Sequence, residues 1–123
     1  MIQPEINELN QLVNRYITIW HEPDPQLRRE KVTQLWTEDA SHFTRTREFH
    51  GYEELVERVE AAHEKFVKTQ GYLFQLTGEV DAHHDAVKFS WEMVKACSGE
   101  VAATGTIFLL LKEDGRIHLD YQF

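Results

Sequence analysis

The chain has one cysteine, three prolines, six glycines and no long apolar run, and each scarcity excludes something. Cys97 alone cannot close an intrachain disulfide or build a cysteine-based zinc site, which fits a reducing compartment. No stretch approaches the ~20 apolar residues that cross a bilayer. The opening MIQPEINELN has neither the basic start nor the apolar core of a signal peptide. A cytoplasmic chain without a membrane partner is therefore expected. Basic residues are few as well: 13 Lys and Arg against 21 Asp and Glu leave a net charge of -8. That surplus of acid repels phosphate, and Arg28 with Arg29, or Arg45 with Arg47, make no basic stripe, so no nucleic-acid partner is expected. A phosphate-binding glycine loop, a G-x-G-x-x-G turn and a G-x-S-x-G elbow are all missing, which leaves nucleotide, dinucleotide and hydrolase readings without support.

What remains is 123 residues, 41% of them hydrophobic, enough for a single domain over 1–123 that buries roughly two thirds of its unfolded surface. Ile6, Leu9, Leu12, Val13, Tyr16, Ile17 and Trp20 recur at spacings of three and four, predicting a first helix that ends at His21, Glu22 and Pro23. Asp24 before Pro25 has the form of an N-cap with proline at the first helical position, and Leu27, Val32, Leu35 and Trp36 continue an apolar side. A third helix opens after Gly51. Tyr52, Leu55, Val56, Val59, Ala62, His63, Phe66 and Val67 form its apolar stripe, opposite Glu53, Glu57, Glu60 and Glu64. Between the last two helices, 41–44 (SHFT) reads as a short strand. Beyond Gly71 the period changes to two, predicting strands at 72–80, 87–96, 101–111 and 117–123 joined by short turns, hence a consecutive antiparallel meander. Helices followed by long strands predict an α+β fold with a curved sheet wrapped on helices.

The order of elements and the strings 16–25 (YITIWHEPDP), 35–40 (LWTEDA), Gly51 with Leu55, 80–91 (VDAHHDAVKFSW) and 114–117 (DGRI) resemble the nuclear transport factor 2-like superfamily, in its SnoaL-like branch of small bacterial proteins. The resemblance spans essentially the whole chain. It implies a cone-shaped α+β barrel in which three N-terminal helices pack on a strongly curved, mixed but mainly antiparallel sheet. It also implies a pocket between helices and sheet and a homodimer through the outer sheet face. Ketosteroid isomerase is a relative. By register its hydrogen-bonding tyrosine falls on Tyr16, but its base falls on Thr44 and its protonated aspartic acid on Ile107, so steroid isomerisation is not expected. SnoaL-like polyketide cyclases use a pocket aspartate helped by a histidine, a pair that no single motif here marks.

Strand alternation then nominates the groups that see the pocket. Phe89, Trp91 and Met93 share one face of their strand. On the last strand the family register turns 118, 120 and 122 inward, leaving Ile117, Leu119, Tyr121 and Phe123 for a partner sheet. Asp120 would then be a desolvated general acid or base, with His42 sharing its proton, Tyr16 binding a carbonyl or enolate oxygen, and His118 beside it. The ligand would meet Trp20, Trp36, Thr44, Val59, His63, Phe89, Trp91, Met93 and Ile107. The plainer reading of Asp120 is that it only satisfies buried donors, and of His63 that it is a core residue.

No metal and no cofactor are expected. His63 and Glu64 lack a second histidine at Val67, and His83 and His84, flanked by Asp81 and Asp85, would point to opposite sides of a strand. Three functions follow. The first is a pocketed domain that binds a small apolar molecule carrying a carbonyl or hydroxyl and acts as a cofactor-independent cyclase, isomerase or dehydratase. The second is a non-catalytic binder of such a molecule. The third is a homodimeric interaction module whose outer face carries Thr106, Phe108, Leu110, Leu119 and Tyr121.

Overall fold

The computed structural model describes the backbone from Ile6 and side chains from Glu8, so the first five residues and the Ile6 side chain of the predicted stripe lie outside the described residues. Helix α1, Ile6–Ile19, buries Leu12, Val13, Tyr16 and Ile17 along the expected stripe, which Trp20 continues just past its end, and buries Ile19 beside it. Helix α2, Pro25–Leu35, starts where the sequence marks it, with the Asp24 carboxylate accepting from the backbone N–H groups of Gln26 at 2.9 Å and Leu27 at 3.4 Å. Its inner face differs from expectation: Leu27 is exposed and Arg28 is buried in its place. Arg28 donates through Nε and Nη2 to the Glu22 carbonyl at 3.0 and 2.8 Å. A guanidinium is better matched than an alkyl chain to carbonyls that the α1–α2 turn leaves without partners.

Strand β1, Trp36–Phe43, follows α2 with no loop and is longer than the predicted 41–44. Trp36 reads as helical by spacing, yet it adopts extended backbone and pairs in parallel with Ile117. That partner lies far along the chain, where local periodicity carries no trace of it. Strand β2, Glu48–His50, doubles back on β1, and Gly51, at φ +79, supplies the left-handed turn that releases the chain into helix α3, Gly51–Ala62. The predicted helix continues to Thr69, but from His63 it widens into a π-helical segment. Its four glutamates at 53, 57, 60 and 64 are exposed, as their pattern requires.

Strands β3 (Tyr72–His83), β4 (Ala86–Lys95), β5 (Val101–Leu111) and β6 (Ile117–Gln122) form the expected antiparallel meander. The six strands run β2-β1-β6-β5-β4-β3, mixed because β1 lies parallel to β6. Phe89 and Met93 on β4, and Ile107 and Leu109 on β5, face the helices and close the core with Val32, Leu35, Leu55 and Val59. No described helix is long and apolar enough to cross a membrane.

One irregularity sets the last strand's phase. Leu111 pairs with Ile117 while its neighbour Leu110 pairs with Leu119, so His118 is an extra residue in a β-bulge. Asp120 and Gln122 point inward as expected, but the bulge takes His118 off their face and turns Ile117 into the core.

Candidate active site

Between α1, α3 with its π segment, and the inner face of β3 to β6 lies a cavity of about 350 Å³. Its wall is mostly aromatic and aliphatic: Trp20, Phe66, Phe74, Phe89, Trp91 and Met93, with Ile17, Ala62, Ala103 and Ile107 filling between them. Three polar side chains reach it, namely Tyr16, Arg58 and Gln122. Gly105 shapes the β4–β5 wall. It pairs with Trp91, and a Cβ built on it would stand 2.5 Å from the indole, so the ring lies across a strand position where only hydrogen fits.

Tyr16 is a wall residue with a buried anchor. Its hydroxyl donates to Asp120, 2.9 Å from Oδ2 and 3.1 Å from Oδ1. The Trp36 indole N–H donates to the same carboxylate at 3.3 Å, and His42 Nδ1 stands 2.9 Å from Oδ2, though off the line of a good hydrogen bond. Asp120 and His42 are both 0% exposed and line no part of the cavity. Burial first, and the negative Asp120 second, push the Tyr16 phenol well above its ordinary pKa; hydrogen bonding from Gln122 and the charge of Arg58 oppose them. Tyr16 is thus held as a neutral phenol between the cavity and a buried carboxylate.

Arg58 and Gln122 complete a directed chain. Arg58 Nη2 donates to Gln122 Oε1 at 3.2 Å, and Gln122 Nε2 donates to the Tyr16 hydroxyl at 3.4 Å. Because a guanidinium has no acceptor, it holds the amide oxygen of Gln122 toward itself and the NH₂ toward Tyr16, whose own proton is then committed to Asp120. Arg58 packs over Trp20 at 5.5 Å and Phe49 at 5.6 Å from the ring centroids. Burial lowers its pKa from the usual value, with Tyr16 and Asp120 acting in the opposite direction.

The structure brings Tyr16, His42 and Asp120 together and places Trp20, Phe89, Trp91, Met93 and Ile107 on the cavity wall. It separates the remainder. His118, displaced by the bulge, faces Asp39 at 3.6 Å on the far side of the sheet end. Thr44 lies past the end of β1, where its Oγ1 accepts from the Arg47 N–H in the β1–β2 connection. Trp36 and Val59 are buried behind the wall, and His63 makes a 3.0 Å hydrogen bond between Nδ1 and the Trp20 carbonyl. Sequence reasoning missed Arg58, and it turned Gln122 inward without giving it a role. The available signal for Arg58 was its spacing: with Ala62 and Phe66 it forms an i, i+4, i+8 stripe on the inner edge of α3, a cation among glutamates. No group of three or more histidine, cysteine or acidic side chains suited to a metal occurs among the described residues.

A cone of three helices on a curved mixed sheet, closed around a cavity, is the nuclear transport factor 2-like fold. By sequence alone the chain matches no family model and no curated protein. Among solved structures it is similar to a candidate isomerase of the SnoaL-like family from Agrobacterium tumefaciens, with 30% identity, 95% of this chain and 97% of that chain covered, and a TM-score of 0.86. A candidate SnoaL-like polyketide cyclase from Jannaschia is 15% identical over 100% of this chain and 90% of that one, TM-score 0.76. An NTF2-like protein of unknown function from Exiguobacterium is 19% identical over 90% and 95%, TM-score 0.69. The chain belongs to the SnoaL-like family of that superfamily.

Proposed function

We propose that the protein binds a small, mostly apolar carbonyl compound in this cavity and moves a proton on it without a cofactor, as an isomerase or cyclase does. The observation that carries the reading is Tyr16, a residue of the cavity wall whose hydroxyl is bonded to both oxygens of the buried Asp120. In the step, a proton from the carbon next to the carbonyl passes to the Tyr16 oxygen while the Tyr16 proton passes to Asp120. The C–H electron pair stays on the substrate as an enolate, whose oxygen accepts from the second N–H of Gln122. Reversal at another carbon gives the isomer. Trp36 and His42 hold the carboxylate in place.

The test is deuterium incorporation from D₂O into a panel of cyclic ketones and 1,3-dicarbonyl compounds, followed by mass spectrometry. Wild type should accelerate exchange of at least one, and Tyr16→Phe and Asp120→Asn should lower that rate by about 10²-fold or more. A second reading, binding without turnover, is favoured by the cavity wall, which has no carboxylate and no imidazole of its own. Ligand binding with no exchange above buffer would establish it and refute the first. We further propose that the outer face of β1, β5 and β6, with Phe43, Phe108, Leu110, Leu119 and Tyr121, receives a second copy of the chain, and that the exposed thiol of Cys97 belongs to a reducing cytoplasm.

A further inference from the structure

Arg58 is a half-buried cation with an unusual set of partners. Among the other arginines, Arg29 answers to Glu53 at 2.6 Å, Arg116 to Asp114 at 2.7 Å and Arg28 to the Glu22 backbone at 2.8 Å, while Arg15, Arg45 and Arg47 are exposed to water. Arg58 meets no carboxylate within salt-bridge reach among the described residues. Its hydrogen bonds go to a neutral amide at 3.2 Å and an imidazole nitrogen at 3.5 Å. Two of five N–H donors are so used, through Nε and Nη2, and Arg58 is part of the cavity wall.

The direction of the hydrogen-bond chain deepens the imbalance. Arg58 donates to Gln122, Gln122 to Tyr16 and Tyr16 to Asp120, so the acceptor capacity of the chain is consumed at its buried end. What the polar wall keeps unspent is mainly donors: the guanidinium fork and one amide N–H. Asp120 is sealed behind Tyr16 and offers the cavity no lone pair. A guanidinium held by two aromatic faces at the wall of an apolar chamber, with three N–H donors unspent, suits a planar oxyanion better than any neutral occupant.

We propose that the cavity selects an anionic ligand, an aromatic or alicyclic carboxylate. Its carboxylate sits on Arg58 and its ring lies against the wall formed by Phe66, Phe74 and Trp91, whose centroids are 6.3 and 5.7 Å apart in sequence. This rests on the reading of the cavity as a small-molecule site and adds the charge of the molecule it holds. A net charge of -8 does not bar an anion from the cavity, because its lining contains no acidic side chain and one cation.

The experiment compares 2-naphthoate with its neutral isostere 2-naphthamide by isothermal titration calorimetry at neutral pH. Wild type should bind the carboxylate about tenfold or more tightly than the amide. In Arg58→Met the carboxylate preference should fall below about twofold while the amide affinity stays within about twofold of wild type. Arg58→Lys, which keeps the charge and loses the fork, should fall between. Equal affinity of wild type for the two probes, or a preference that survives Arg58→Met, overturns the proposal and leaves the cavity reading standing. Failure of both probes to bind overturns both. Should Arg58→Met fail to fold, the wild-type pair and Arg58→Lys still decide.

Discussion

Replacing Gly105 by alanine adds one methyl group, and its cost is set by a single ring. The new Cβ would stand 2.5, 2.6 and 2.8 Å from Cζ2, Cε2 and Nε1 of Trp91, against an ordinary carbon contact of about 3.5 Å. The indole has to retreat by about 1 Å into the cavity or off its rotamer, an overpacking that costs about 1–3 kcal/mol. Gly105 has no positive φ, so backbone strain adds nothing. An unfolding entropy of about 2.1 cal/mol/K per residue over 123 residues converts each kcal/mol into about 4 °C, giving a Tm lower by about 4–12 °C. A double-mutant cycle with Trp91→Ala isolates the cause. Without the indole, Gly105→Ala should stabilise by about 0.5–1 kcal/mol, because alanine loses less backbone entropy than glycine in a strand. Urea melts of the four proteins measure both steps. An equal effect of Gly105→Ala in the two backgrounds, or none in wild type, would refute the account of how this wall is shaped.

Acid should loosen the junction of α1 with β3. His21 Nε2 accepts from the Phe74 backbone N–H at 2.8 Å, and burial, then the nearby His63, lower its pKa from 6.5. The unfolded chain therefore binds the proton more readily, so stability is complete above the unfolded value and declines as pH falls below about 6.5 toward the folded pKa. Urea midpoints between pH 7.5 and 5.5 should fall less steeply in His21→Gln, and parallel profiles would remove His21 as the cause. Native mass spectrometry at micromolar concentration should show a dimer that Leu110→Arg dissociates, whereas a wild-type monomer alone would rule out pairing through the outer face.

What the sequence made legible was whatever is local. Three-and-four spacing located α1 and α3, the Asp24 and Pro25 pair marked the start of α2, and two-residue alternation marked β3 to β6. Tyr16 and Asp120 were nominated because a family register supplied the long-range phase that alternation cannot. The illegible parts depend on distant partners. Trp36 is a strand residue only because Ile117 is beside it, and His118 leaves its face only because β5 and β6 differ by one residue. Arg58 escaped notice because a charged residue at the edge of an amphipathic helix looks solvated until the sheet that roofs it is in place.

The place of β6 in the sheet bears on how this protein comes into being. In the order β2-β1-β6-β5-β4-β3, strand β6, which follows the other five in the chain, joins the pair β2-β1 to the trio β5-β4-β3. Tyr16 and Asp120 are 104 positions apart, so a chain emerging from the ribosome presents the phenol long before it presents the carboxylate that anchors it. Until residues 117–122 slide between β1 and β5, there are two half-sheets, an open core and no anchored tyrosine. Final assembly of the scaffold and completion of the Tyr16–Asp120 pair are therefore one event, and a partly folded chain with an incomplete sheet has no finished site.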